Sequence, residues 1–239
     1  MQIFSIPGFH EPFNALSHLL GAGVFAGLAV VLLRRARGDA RRVALLAVFA
    51  FTSVLLLSMS GVFHMLHEDG SARAVLGRLD QAAIFALIAG THTPVQGLFF
   101  RGWARWGVLA AVWLVAATGI TLFSVYYDDL PRGLGTGVYL LLGWIAGVAG
   151  LIVWRRLGTR GAGLLIAGGV TYTVGAILLG LDWPVLLPGV IGPHELWHVA
   201  VLAALSLHWR FFLAHARQPI DGPVGGAGCT DAAARADTL

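Results

Sequence analysis

The sequence predicts an all-α protein, a polytopic bundle of seven transmembrane helices, and three observations carry that expectation. Apolar runs of about 20 residues recur from end to end of the chain, each long enough to cross a hydrocarbon core of about 30 Å. Only 12% of the residues are charged and 57% are hydrophobic, with a mean hydropathy of +0.79, whereas soluble domains carry roughly 25% charged residues. The apolar runs are continuous and do not alternate with period two, which excludes barrel strands.

Spans are expected near 15–33, 43–66, 79–100, 104–126, 134–154, 162–181 and 195–214. The first follows a short amino-terminal segment, 1–14, and stops at Arg34-Arg35-Ala36-Arg37-Gly38-Asp39. His67-Glu68-Asp69-Gly70 separates the second from the third, Arg101 to Arg105 the third from the fourth, and Asp128-Asp129-Leu130-Pro131 the fourth from the fifth. Arg155-Arg156 ends the fifth, Asp182-Trp183-Pro184 ends the sixth, and Pro193 suits the start of the last. The seven spans form one membrane domain, 15–215, followed by a tail, 216–239, whose Gly, Ala, Asp and Pro favour flexibility. Residues 1–13 lack a basic region ahead of an apolar run, so no removable signal peptide is expected. Cys229 is the single cysteine, which permits no internal disulfide.

A pI near 10 suggests a nucleic-acid partner at first sight. All sixteen basic residues, however, are Arg, and nearly all sit at helix ends, which is a topology signal and not a nucleic-acid footprint. Thirteen fall at 34–42, 101–105, 155–160 and the carboxyl end, against Arg73, Arg78 and Arg132 on the other side. The positive-inside rule then places the amino terminus outside. Arg-only basic usage with abundant Ala and Gly points to a GC-rich prokaryote, and hence to a bacterial inner membrane.

The chemistry lies in ionisable residues within these apolar helices, which are costly in a bilayer and therefore mark function. His194 and His198 are spaced i, i+4, so both rings share one helix face and can reach one ion. A catalytic zinc site takes three protein ligands and keeps a fourth position open. His64 is the third candidate, because antiparallel threading brings the end of span 2 beside the start of span 7. Asp80 opens span 3 on that side, and Ser60 sits one turn before His64. Asp80 alone reads as a helix cap and Ser60 alone as packing glue; their value lies in the company of the three histidines. His92, His208 and His215 have no partners at ligand spacing and read as hydrogen bonders between helices. Glu11, Asn14 and His18, at i, i+3 and i+7, lie on one helix face and read as a buried polar network holding span 1 to its neighbours.

These motifs resemble the progestin and adipoQ receptor (PAQR) family, in its bacterial hemolysin III branch, along all seven spans. The matching segments are Glu11-Pro-Phe-Asn14-Ala-Leu-Ser-His18, Ser60-Gly-Val-Phe-His64, Arg78-Leu-Asp80 through Gly90-Thr-His-Thr-Pro94, and His194-Glu-Leu-Trp-His198. The resemblance implies Zn²⁺ held by His64, His194 and His198, with Asp80 and Ser60 beside it, and kinship with alkaline ceramidases. His92 stands where the family pattern has Tyr. The resemblance also implies a cytoplasmic amino end, opposite to the Arg count, so orientation stays open.

The expected function is zinc-dependent hydrolysis of a lipid amide, with a place in membrane-lipid homeostasis. Asp80 would act as base, and Ser60 would hydrogen-bond the attacking water or the oxyanion. The partners are membrane lipids, ceramide-like or fatty acid, and no nucleic acid. Alternatives are a membrane-state sensor or receptor with structural zinc, a pore-forming cytolysin, and an intramembrane protease reading His194-Glu195-x-x-His198 as H-E-x-x-H. A pore needs a polar stripe along several spans, whereas these polar residues gather at one end.

Overall fold

The computed structural model describes residues 5–131 and 133–217, which are helical apart from short connections and two isolated β-bridges. Its helices are α1 (Pro12–Ala36), α2 (Ala40–Met65), α3 (Ser71–Phe99), α4 (Gly102–Val125), α5 (Leu134–Gly180) and α6 (Pro193–His215). All six are long and apolar enough to cross a membrane. Seven were expected. The difference lies in α5, which runs continuously over the expected fifth and sixth spans but is broken at Gly158, whose φ of 68° and ψ of −179° are non-helical. A Cβ built on Gly150 would lie 3.2 Å from Ile166 and 3.7 Å from Leu165. A straight helix separates positions fifteen residues apart by about 22 Å, so the chain folds back on itself around Gly158.

Local sequence explains the helix ends. Asp39 accepts a hydrogen bond from the Arg42 amide at 3.0 Å and caps α2. Pro12 and Pro193 occupy first-turn positions of α1 and α6, where their missing N–H costs nothing. The third helix begins earlier than expected, at Ser71 with Gly70 as N-cap. Asp80 is therefore not a helix cap but stands more than two turns inside α3. Its amino-terminal turns, Ser71 to Arg78, are too polar to score as a span, yet contacts to α2 and the α4–α5 connection hold them helical. The expected tail falls almost wholly outside the described residues, as do Cys229 and Arg132.

The helices α1 and α2, α2 and α3, α3 and α4, and α5 and α6 pack against each other, α6 also returns against α1, and α5 packs against α3. Buried aromatic and aliphatic side chains, among them Phe49, Leu57, Trp209, Phe211 and Phe212, fill the space between α1, α2 and α6. Phe85, Val112, Phe123 and Leu142 make a second cluster joining α3, α4 and α5. Large apolar side chains on the outer surface, such as Leu20, Phe51, Leu114 and Val148, are the lipid-facing side of such a bundle. With lipid as apolar as the core, helix association rests on close backbone approach and interhelical hydrogen bonds. A Cβ on Gly90 would overlap Thr52, so α2 and α3 meet there at a distance only glycine permits. His92 Nε2 lies 3.3 Å from the Leu142 carbonyl, and His208 Nε2 3.2 Å from that of Leu165, each tying two helices together. His215 instead bonds within α6, to the Phe211 carbonyl.

Candidate metal centre

Backbone hydrogen bonds position the centre first. The Glu11 amide donates to the His64 carbonyl at 3.0 Å and the His10 amide to that of Met65 at 3.2 Å. These bonds satisfy terminal carbonyls of α2 that no helical partner reaches, and they pin the start of α1 to the end of α2. Arg73, in the first turn of α3, donates to the Leu66 carbonyl at 2.5 Å, lies over the Phe63 ring and pairs with Glu11. Three helix ends thus meet on one side of the bundle, and α6 begins there too.

On that frame the Nε2 atoms of His64, His194 and His198 converge. His194 Nε2 lies 3.3 Å from that of His64 and 3.2 Å from that of His198, and the three ligand atoms all lie within 4.8 Å of one another. Zinc takes imidazole nitrogens at 2.0–2.1 Å in tetrahedral geometry, which sets ligand nitrogens about 3.3 Å apart. Unprotonated nitrogens so close repel one another unless a proton or a cation lies between them. The donor set therefore fits Zn²⁺ in both spacing and chemistry. His64 and His198 are buried and His194 is exposed, so the cluster has one open side.

Surrounding residues orient the rings. His64 Nδ1 lies 2.6 Å from Glu11 Oε2, an arrangement in which Nδ1–H donates and the Nε2 lone pair faces the centre. Burial raises the Glu11 carboxyl, but bonds and charge from His64, with bonds from Arg73 and Asn14, outweigh it and hold the group well below the usual carboxylate range. Asn14 donates to both Glu11 Oε2, at 3.1 Å, and Glu195 Oε1, at 2.8 Å, tying α1 to α6. The other oxygen of Glu195 accepts from the Gly192 amide at 2.8 Å. Both Glu195 oxygens thus accept hydrogen bonds that hold the start of α6, a capping role distinct from that of the base in an H-E-x-x-H protease.

Ser60 Oγ lies 2.9 Å from His18 Nδ1, and the His18 ring stacks on His198 with centroids 3.9 Å apart. His18 Nε2 is buried without a partner among the described residues. An unpaired acceptor costs less there than an unpaired N–H, so the proton belongs on Nδ1, which donates to Ser60 and frees the serine hydroxyl to donate onward. Asp80 stands beside it, close enough to interact with both Ser60 and His64. All five residues expected from the sequence gather at this end. Arg73 and the paired use of Glu11 and Glu195 were not foreseen; the i, i+3, i+7 spacing of Glu11, Asn14 and His18 was the available signal, and for Arg73 there was none.

Six long apolar helices with an imidazole cluster at one end define a helical, polytopic membrane protein with a histidine centre. The chain belongs to the haemolysin-III-related family, whose model it matches over residues 8–209. It is 31% identical over 196 residues to "Hemolysin-3" of Bacillus cereus, covering 81% of this chain and 86% of that protein. Over 191 residues it is 28% identical to the "Hemolysin-3 homolog" of Bacillus subtilis (strain 168), covering 79% and 86%. Helices and relatives together make it an integral, multi-pass protein of the bacterial membrane.

Proposed function

We propose that this protein is a zinc-dependent hydrolase of lipid amides, ceramide-like in substrate, and that its chain crosses the membrane seven times. The convergence of three Nε2 atoms beside the Ser60–Asp80 pair is the observation that carries the catalytic reading. Seven crossings are supported by the length of α5, since 47 residues in one straight helix span about 70 Å against a core of about 30 Å. Each part of α5, 134–157 and 159–180, is by itself about one membrane thickness long.

His64, His194 and His198 would hold the metal, and a Zn²⁺ ion there supplies a Lewis acid that polarises a carbonyl and makes water more acidic. Ser60 would steady the Asp80 carboxylate, which would accept the proton of an attacking water as its oxygen bonds the amide carbon. Asp80 then returns that proton to the nitrogen as the C–N bond breaks, leaving a fatty acid and an amine. Glu11 and Asn14 keep the rings in place, and the exposed side at His194 admits a substrate whose amide sits at headgroup depth.

Zinc content of the purified protein, compared with His64→Ala, His194→Ala and His198→Ala, tests the centre first: about one ion per chain is expected in the wild type and none in the variants. A ceramide and lipid-amide panel then tests the reaction, with Asp80→Asn expected to keep its zinc and lose at least about a hundredfold in rate. Zinc present with no hydrolysis of any amide in the panel would replace the hydrolase with a lipid-sensing role for the same centre.

A further inference from the structure

At the end of the bundle opposite the histidines, a hollow of about 410 Å³ is lined by Val31, Arg34, Arg35, Arg37 and Arg217. We propose that it binds the phosphate of an anionic phospholipid headgroup. Four exposed arginines line one open hollow, and among the described residues none of them has a carboxylate partner. Among the described residues, arginine ion pairs are seen at Arg42 with Asp39, Arg73 with Glu11 and Arg78 with Asp128, away from the hollow. The carboxyl ends of α1 and α6 point to this region and offset part of the charge, but each contributes only about half a negative charge against four positive ones. The four exposed arginines therefore leave a net positive patch that favours an anion.

Depth and chemistry select which anion. Val31, one turn before the arginines, is exposed on the lipid side of α1. Trp103 and Trp106 are 85% and 50% exposed at the same end, and Arg41 lies 4.9 Å over the Trp106 ring, the pattern of an interfacial aromatic belt. The hollow therefore sits where lipid phosphates lie, with an apolar flank for an acyl chain. Guanidinium forks match phosphate oxygens in a bidentate way. Arg35 also reaches the Leu213 carbonyl at 3.5 Å, so a lipid held here bridges α1 and α6. A topology signal alone would be met by arginines scattered over this face and does not require four of them around one cavity.

The test is native mass spectrometry of the full chain in detergent, titrated with phosphatidylglycerol or phosphatidylcholine. Arg34→Gln/Arg37→Gln is compared with Arg155→Gln/Arg160→Gln, which removes equal charge from the same face away from the hollow. Phosphatidylglycerol is expected to bind in preference, and its first-site affinity to fall about fivefold per arginine removed from the hollow, with the control pair unchanged. Equal loss in both variants, equal binding of phosphatidylcholine, or displacement of the lipid by an equal concentration of inorganic phosphate would overturn the assignment. Helical circular dichroism of each variant reports its fold independently of the histidine centre.

Discussion

Glu11 illustrates how one side chain serves two ends of the centre: one oxygen accepts from His64 and from Asn14, while the other meets Arg73. Removing its charge while keeping its shape loosens the His64 ring without removing a ligand. Glu11→Gln is therefore expected to weaken zinc binding by about 10–100-fold, measured by competition with a chelator of known affinity. Glu195 behaves differently, because both its oxygens serve the start of α6. Glu195→Gln keeps the Oε1 acceptor and much of the tie, so it is expected to retain zinc and most activity; loss of hydrolysis with zinc intact would restore the protease reading.

Among the elements, α5 and α3 carry the sharpest tests. Gly158 adopts φ 68° and ψ −179°, a region that side chains reach only at about 1–3 kcal/mol. Gly158→Ala should lower the thermal midpoint in detergent, although no atom lies within 4 Å of the added Cβ. Gly169→Ala is the matched comparison, in regular helix with equally open space, and is expected to be neutral or slightly stabilising. Gly90→Val combines no unusual φ with a direct overlap on Thr52 and should separate α2 from α3, lowering the midpoint more than Gly158→Ala.

For the whole molecule the open question of sidedness becomes a labelling experiment. In a Cys229→Ser background, single cysteines at Glu68, Asp129 and Asp182 are expected to react with an impermeant thiol reagent from one side of the membrane, and those at Arg37 and Arg160 from the other. Reaction of Arg160→Cys from the same side as Asp182→Cys would remove the seventh crossing. The same data decide between the Arg count and the family resemblance, since the three carboxylate positions lie on the side of the histidine centre.

Much was legible because the bilayer imposes a simple rule: a stretch of about 20 apolar residues must hydrogen-bond its own backbone, so helices follow from hydropathy alone. Helices now seen at Pro12–Ala36, Ala40–Met65, Gly102–Val125 and Pro193–His215 each coincide with an expected span, with ends displaced by a few residues. The i, i+4 spacing of His194 and His198 likewise follows from helix geometry, and antiparallel threading sufficed to bring His64 near them. Hydropathy could not see the polar first turns of α3, because tertiary contacts from Arg73 and Arg78 hold them helical. Nor could spacing reveal that Asn14 would bridge Glu11 to Glu195, 181 positions beyond it in the chain. The sequence by itself determined the membrane class, the helices and the residue types of the centre, since these depend on local composition and period. Only the tertiary structure decided which nitrogen of each ring faces inward, which carboxylates orient and which cap, and where four arginines share one hollow, because those depend on contacts between residues far apart in the chain.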